Sequence, residues 1–135
     1  MSRAFFDSNV LVYAFSDDDR ALPARAVLKL GGNVSVQVLN ELANVTRRKM
    51  RFTWPEVHSA LQVIRSRCGP PLPVTDELHR AGLSLSERYM LSIYDGLIVA
   101  AALKLDCDLL WSEDMQHGMV IDGKLRIINP FLPTR

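Results

Sequence analysis

A chain of 135 residues, 48% hydrophobic and 23% charged, is long enough to bury a proper core and is expected to form one domain over residues 1–135. That balance belongs to globular proteins and excludes disordered and fibrous classes. A net charge of +1 gives no bulk attraction to nucleic acid or anionic membranes, so any such binding has to come from a local patch.

Ala4, Phe5 and Phe6 form a short apolar strand, ended by Asp7-Ser8-Asn9. Each of those three can cap a helix, which the next residues, VLVYAF, continue to about Ser16. Asp17, Asp18 and Asp19 sit where a second helix dipole favours carboxylates, and that helix runs over 20–30 to stop at Gly31-Gly32. Residues 34–36 read as a second strand and 37–50 as a third helix. Thr53 is expected to cap a fourth helix with Pro55 in its first turn, reaching about Arg67 before Gly69-Pro70-Pro71. Residues 72–74 read as a third strand, and Thr75-Asp76-Glu77 opens a helix to about Tyr89. Then comes SIYDGLIVAAAL, apolar on nearly every side and therefore a buried helix, followed by a strand over 108–111. Two β-type runs, 119–121 and 125–128, flank Asp122-Gly123, a hairpin signal.

Short buried strands alternating with helices predict an α/β domain with a mostly parallel sheet and helices on both faces, a three-layer α/β/α architecture. Cys68 and Cys107 form no CxxC or Cys/His cluster and are expected to be reduced thiols. Asp7 interrupts any signal-peptide core, and no apolar run reaches membrane-spanning length. The expected location is cytoplasmic, without membrane association.

Strand C-termini and the helix N-termini that follow them share one rim of such a sheet, where ligands bind. Asp7 follows the first strand directly. Asp95 opens the buried helix, and Asp114 lies just beyond the 108–111 strand, in the next turn. A helix of about 15 Å, followed by a strand and turn of about 15–20 Å, returns Asp114 to the level of Asp95. Glu41 lies just over one turn into the 37–50 helix, at the border of its apolar arc. Residues one turn on from Asp95 and Glu41 supply no cation. Taken singly, Asp7 reads as a helix cap, Glu41 as a solvated charge and Asp95 as a dipole cap, and Asp114 is uninformative. Taken together, four acids on one rim repel one another, and a hard divalent cation with oxygen ligands answers that repulsion. His58, His79 and His117 show no metal-ligand spacing.

FFDSNVLVYAF, SVQVLNEL, SIYDGLIVAAAL and LLWSEDMQHG resemble the four motifs of the PIN domain, and most nearly those of VapC-type toxins of toxin–antitoxin pairs. The resemblance covers essentially the whole chain. It implies a sheet of about five strands and a metal-dependent endoribonuclease using one or two Mg²⁺ or Mn²⁺ ions. It also implies a small cognate antitoxin whose segment occupies the acidic groove, and a homodimer. The family's functional residues fall on Asp7, Glu41, Asp95 and Asp114, with Asn9 and Ser112 as supporting polar groups. Gly96 replaces the Ala common after the third acid, a difference that touches packing.

The residues suit metal-assisted hydrolysis by an activated water, leaving a 5′-phosphate and a 3′-hydroxyl. Ser112 is placed to orient an acid or a water. Arg47, Arg48, Lys49 and Arg51 are candidate contacts to the RNA backbone, or cations that satisfy a helix C-terminus. Trp54 and Trp111 are candidates for base stacking, with core packing the alternative for Trp111. Two other readings stay open: a non-catalytic binding protein, and an aspartate-nucleophile phosphatase, which needs an acid where this chain has Asn9.

Overall fold

Strand β1 (Ala4–Phe6) carries adjacent phenylalanines, Phe5 and Phe6, both fully buried. Neighbouring strand residues point to opposite faces, so both faces of the sheet are covered here, as the three-layer arrangement requires. In the computed structural model, which describes residues 3–133, six helices follow in chain order. They are α1 (Ser8–Ala14), α2 (Ala21–Lys29), α3 (Val36–Arg48), α4 (Trp54–Arg67), α5 (Asp76–Tyr89) and α6 (Ile93–Lys104). Strands β2 (Leu109–Trp111), β3 (Val120–Ile121) and β4 (Leu125–Ile128) complete the chain.

The sheet has the order β1-β2-β4-β3. β1 pairs parallel with β2, and β2 parallel with β4, while β3 closes an antiparallel hairpin on β4. At the hairpin tip Asp122 and Gly123 both adopt positive φ, 50° and 65°, as a type I′ turn requires.

Two expected strands are corrected, and with them the count of about five. Residues 34–36 contribute an isolated bridge, Ser35 to Leu72, beside the bridge from Asn33 to Phe5. Ser35 is instead the cap of α3, accepting from the Val38 amide, so the helix begins where the strand was expected. Residues 72–74 are limited to that same bridge. Leu72 stands between Pro71 and Pro73, neither of which has an N–H to give a ladder. The start of the second helix also differs: its cap is Arg20, without a side-chain cap bond, and Asp17–Asp19 belong to the preceding turn.

Helix α6 was legible because it is buried on all sides: residues 96–102 are buried without exception. It packs on α5 at a point where both helices present glycine. A Cβ at Gly96 would collide with Ser86 Oγ and the Gly82 carbonyl, and one at Gly82 would lie 3.1 Å from Leu97 Cδ2. No described helix is long and apolar enough to cross a membrane.

Candidate active site

The acids reach one rim because the parallel strands end together. Phe6 stands beside Trp111 in register, and the Asp7 amide donates to the Trp111 carbonyl (3.0 Å) while the Ser112 amide donates to that of Ile128 (3.0 Å). Asp7 therefore leaves β1 at the level where Ser112 leaves β2. It is the cap of α1 as well, its carboxylate accepting from the Ser8 amide at 2.7 Å.

Asp7 is only 4% exposed, and three donors surround its carboxylate. Ser112 Oγ donates to Oδ2 at 2.8 Å and Asn9 Nδ2 to the same oxygen at 3.2 Å, with Ser8 N on Oδ1. Burial nevertheless dominates and pushes the Asp7 carboxyl up to about 7; the Ser112 and Ser8 bonds oppose this, and the charges of Asp95 and Glu41 add to it. Asp95, half-buried in the first turn of α6, is raised by burial and then by the charges of Asp114 and Glu41, against a hydrogen bond with Ser92.

These influences connect all four predicted acids: Asp7 feels Asp95 and Glu41, and Asp95 feels Asp114 and Glu41. Glu41 is half-buried on α3, where Ser8 Oγ donates to Oε1 (2.9 Å) and Gln37 Nε2 to Oε2 (3.2 Å). Asp114 is exposed in the turn after β2. Among the described residues none of the four forms an ion pair. The excess negative charge of this rim is left to hydrogen-bond donors and solvent.

Asn9 joins two parts of the site. Its Nδ2 holds Asp7, and its Oδ1 accepts from the Glu113 amide at 3.1 Å. Ser112 Oγ in turn accepts from the Met115 amide at 3.4 Å. The carboxylate oxygens suit a hard divalent cation. Among the described residues, however, no three His, Cys, Asp or Glu side chains stand close enough to enclose an ion. Asp7 and Glu41 are turned toward their donors, so an ion here would have to draw the carboxylates together.

The basic run is only partly free. Arg47 donates to the Phe52 carbonyl at 2.9 Å and lies 4.8 Å over the Trp54 ring, so it closes the loop between α3 and α4. Arg48, Lys49 and Arg51 are exposed. Trp54 is exposed as well, while Trp111 packs against the core. His58, His79 and His117 are exposed, and His117 Nδ1 accepts from the Asn129 amide. Cys68 and Cys107 are free thiols that burial pushes up to about 11, which leaves them unreactive near neutral pH.

Sequence reasoning missed Ser8 and Gln37 as partners of Glu41. Gln37 had a signal, since it sits four residues before Glu41 on the same helix face. Ser8 had none, because its contact with Glu41 arises from the packing of α1 on α3.

Residues 4–118 match the PIN domain family. Among solved structures, the chain is similar to one titled a toxin–antitoxin complex from Klebsiella pneumoniae. The TM-score is 0.71 at 18% identity, over 95% of this chain and 98% of that one. It is also similar to the toxin VapC20 of Mycobacterium tuberculosis, described as cleaving the sarcin–ricin loop, with TM-score 0.67 and 18% identity over 82% and 89% of the two chains. VapBC2 of Rickettsia felis, bound to a promoter DNA fragment, gives 0.57 and 22% over 82% and 86%. No curated protein matches the sequence significantly. With most of its length matched and this geometry at the strand ends, the chain belongs to the PIN domain family.

Proposed function

We propose that this protein is a divalent-metal-dependent endoribonuclease, the toxin of a toxin–antitoxin pair. One observation carries the reading: a buried aspartate, Asp7, is electrostatically coupled to Asp95 and Glu41 at the open ends of parallel strands, with no cationic side chain paired to any of them among the described residues. Its fold neighbours support it, since one is a sarcin–ricin-loop-cleaving toxin and another a toxin–antitoxin complex.

Asp7, Asp95 and Asp114 would hold Mg²⁺ or Mn²⁺, with Glu41 acting directly or through water. A bound ion of this kind offsets negative charge on the phosphate and makes water acidic enough to act as the nucleophile. Ser112, Asn9 and the Ser8 amide fix Asp7 at its place, and Ser8 and Gln37 do the same for Glu41. Arg48, Lys49 and Arg51 offer charge to the RNA backbone. None of the three histidines is engaged with the four acids among the described residues, which favours a metal-activated water over a histidine-assisted attack by the 2′-hydroxyl. A small antitoxin covering the acids would silence the enzyme, and the active form is expected to be a homodimer.

The phosphatase reading fares worse. Asn9 is an amide whose two ends are already engaged by Asp7 and the Glu113 backbone, and it cannot donate an acidic proton. The reading is tested by mapping RNA ends after brief exposure to the protein with Mn²⁺. New 5′-phosphates and 3′-hydroxyls are expected; 2′,3′-cyclic phosphates would overturn water as the nucleophile, and intact RNA would overturn the nuclease.

A further inference from the structure

Glu113 is a fifth acid at the rim, next in sequence to Asp114, yet it is turned away from the other four. Its carboxylate accepts from the Tyr13 hydroxyl (Oε1, 3.1 Å) and pairs with Arg20 Nε (Oε2, 2.9 Å). Its amide is held by Asn9. Asn9 and Tyr13 are four residues apart on α1 and so share one helix face, which grips the Ser112–Met115 turn by backbone and by side chain. Arg20 completes the grip from the loop before α2: its guanidinium lies 5.1 Å over the Tyr13 ring and also reaches Asp18. The Tyr13 ring is itself braced edge-on by Phe131, with centroids 5.1 Å apart.

This clamp has two consequences. The turn it fixes carries Ser112, which holds Asp7, and Asp114, whose charge raises the Asp95 carboxyl. It also neutralises a carboxylate that would otherwise stand free beside Asp114. An exposed ion pair alone contributes little to stability, and Glu113 and Arg20 are both part-exposed. Their arrangement is better explained by what it orients than by what it stabilises.

We infer that Arg20 and Tyr13 are positioning residues: through Glu113 they hold the Ser112–Met115 turn so that Ser112 and Asp114 meet the acids on the other elements. The inference rests on the metal-site reading above and adds to it two residues that touch neither ion nor substrate. Groups that orient ligands in this way typically change metal affinity by about 10–100-fold when removed. Arg20→Ala is therefore expected to weaken Mn²⁺ binding, measured by calorimetry, by at least about tenfold. Tyr13→Phe, which keeps the ring and loses the hydroxyl, is expected to weaken it less, and Arg20→Lys, which keeps the charge but not the stacked guanidinium, to recover only part of the loss.

Amide hydrogen exchange supplies a second readout that does not need activity. In Arg20→Ala the Glu113 and Met115 amides are expected to exchange faster while those of Phe5 and Leu110 are unchanged. Unchanged exchange at Glu113 and Met115, or faster exchange with unaltered Mn²⁺ affinity, overturns the inference. Faster exchange at Phe5 and Leu110 as well would assign Arg20 to general stability and also overturn it. If the unaltered protein binds no Mn²⁺, the metal-site reading itself fails, and that result is distinct from the others.

Discussion

Replacing Asp7 with Asn in protein kept free of divalent ions by a chelator removes one carboxyl whose ionisation opposes folding. Burial is the chief cause that moves it from 3.8 to about 7. Between those values the unfolded chain has released the Asp7 proton while the folded chain still holds it, so stability falls as pH rises. The slope is about 1.4 kcal/mol per pH unit, which amounts to about 3 kcal/mol between about pH 5 and pH 7 for this one group. Above about pH 7 both states are ionised and the loss stops growing. Asn cannot copy the hydrogen bonding, because three donors converge on the Asp7 oxygens and an amide nitrogen must face one of them. That mismatch sets an offset of about 1–3 kcal/mol, which depends little on pH. Asp95 is raised in the same direction and contributes to the slope of both proteins. Urea unfolding in chelator from about pH 5 to about pH 8 separates these effects. The stability of Asp7→Asn relative to the unaltered protein is expected to improve by about 3 kcal/mol across that range. Parallel curves would refute the burial of an uncompensated Asp7 charge.

Ser112→Ala removes the bond that chiefly favours the ionised Asp7. In chelator it should push the Asp7 carboxyl still higher, seen by NMR titration, and cost about 1–3 kcal/mol at alkaline pH; an unmoved titration would contradict the bond. Gly96→Ala should destabilise the protein by about 1–3 kcal/mol through overpacking, because the new methyl meets Ser86 and the Gly82 carbonyl. Thermal unfolding checks this, and an unchanged midpoint would mean that α5 moves away freely. Neutralising Arg48, Lys49 and Arg51 together should flatten the salt dependence of RNA binding, measured by fluorescence anisotropy; an unaltered slope would place the RNA elsewhere.

The helix bearing Asp95 was legible because nothing but burial explains SIYDGLIVAAAL, and residues 96–102 are buried. Asp122-Gly123 was legible because the turn demands positive φ at both positions. The sheet was less legible. Near Ser35 and Leu72 local chemistry outweighed β-type residues: Ser35 caps a helix, and prolines flank Leu72. Asp7 taken alone read as a helix cap, and only the shared rim made it a site residue; it caps α1 and its carboxyl also feels the charges of Asp95 and Glu41. The grip of Tyr13 and Arg20 on Glu113 was invisible, since the residues lie about a hundred positions apart and no local spacing marks them.

The central claim is that the acid rim works through a divalent ion. RNA cleavage by chelated protein, by protein resupplied with Mg²⁺ or Mn²⁺, and by Asp95→Asn under the same conditions tests it most directly. Cleavage is expected to vanish with chelator, return with the ion, and fall by two or more orders of magnitude in Asp95→Asn. Cleavage that persists in chelator, or full activity of Asp95→Asn, would contradict it.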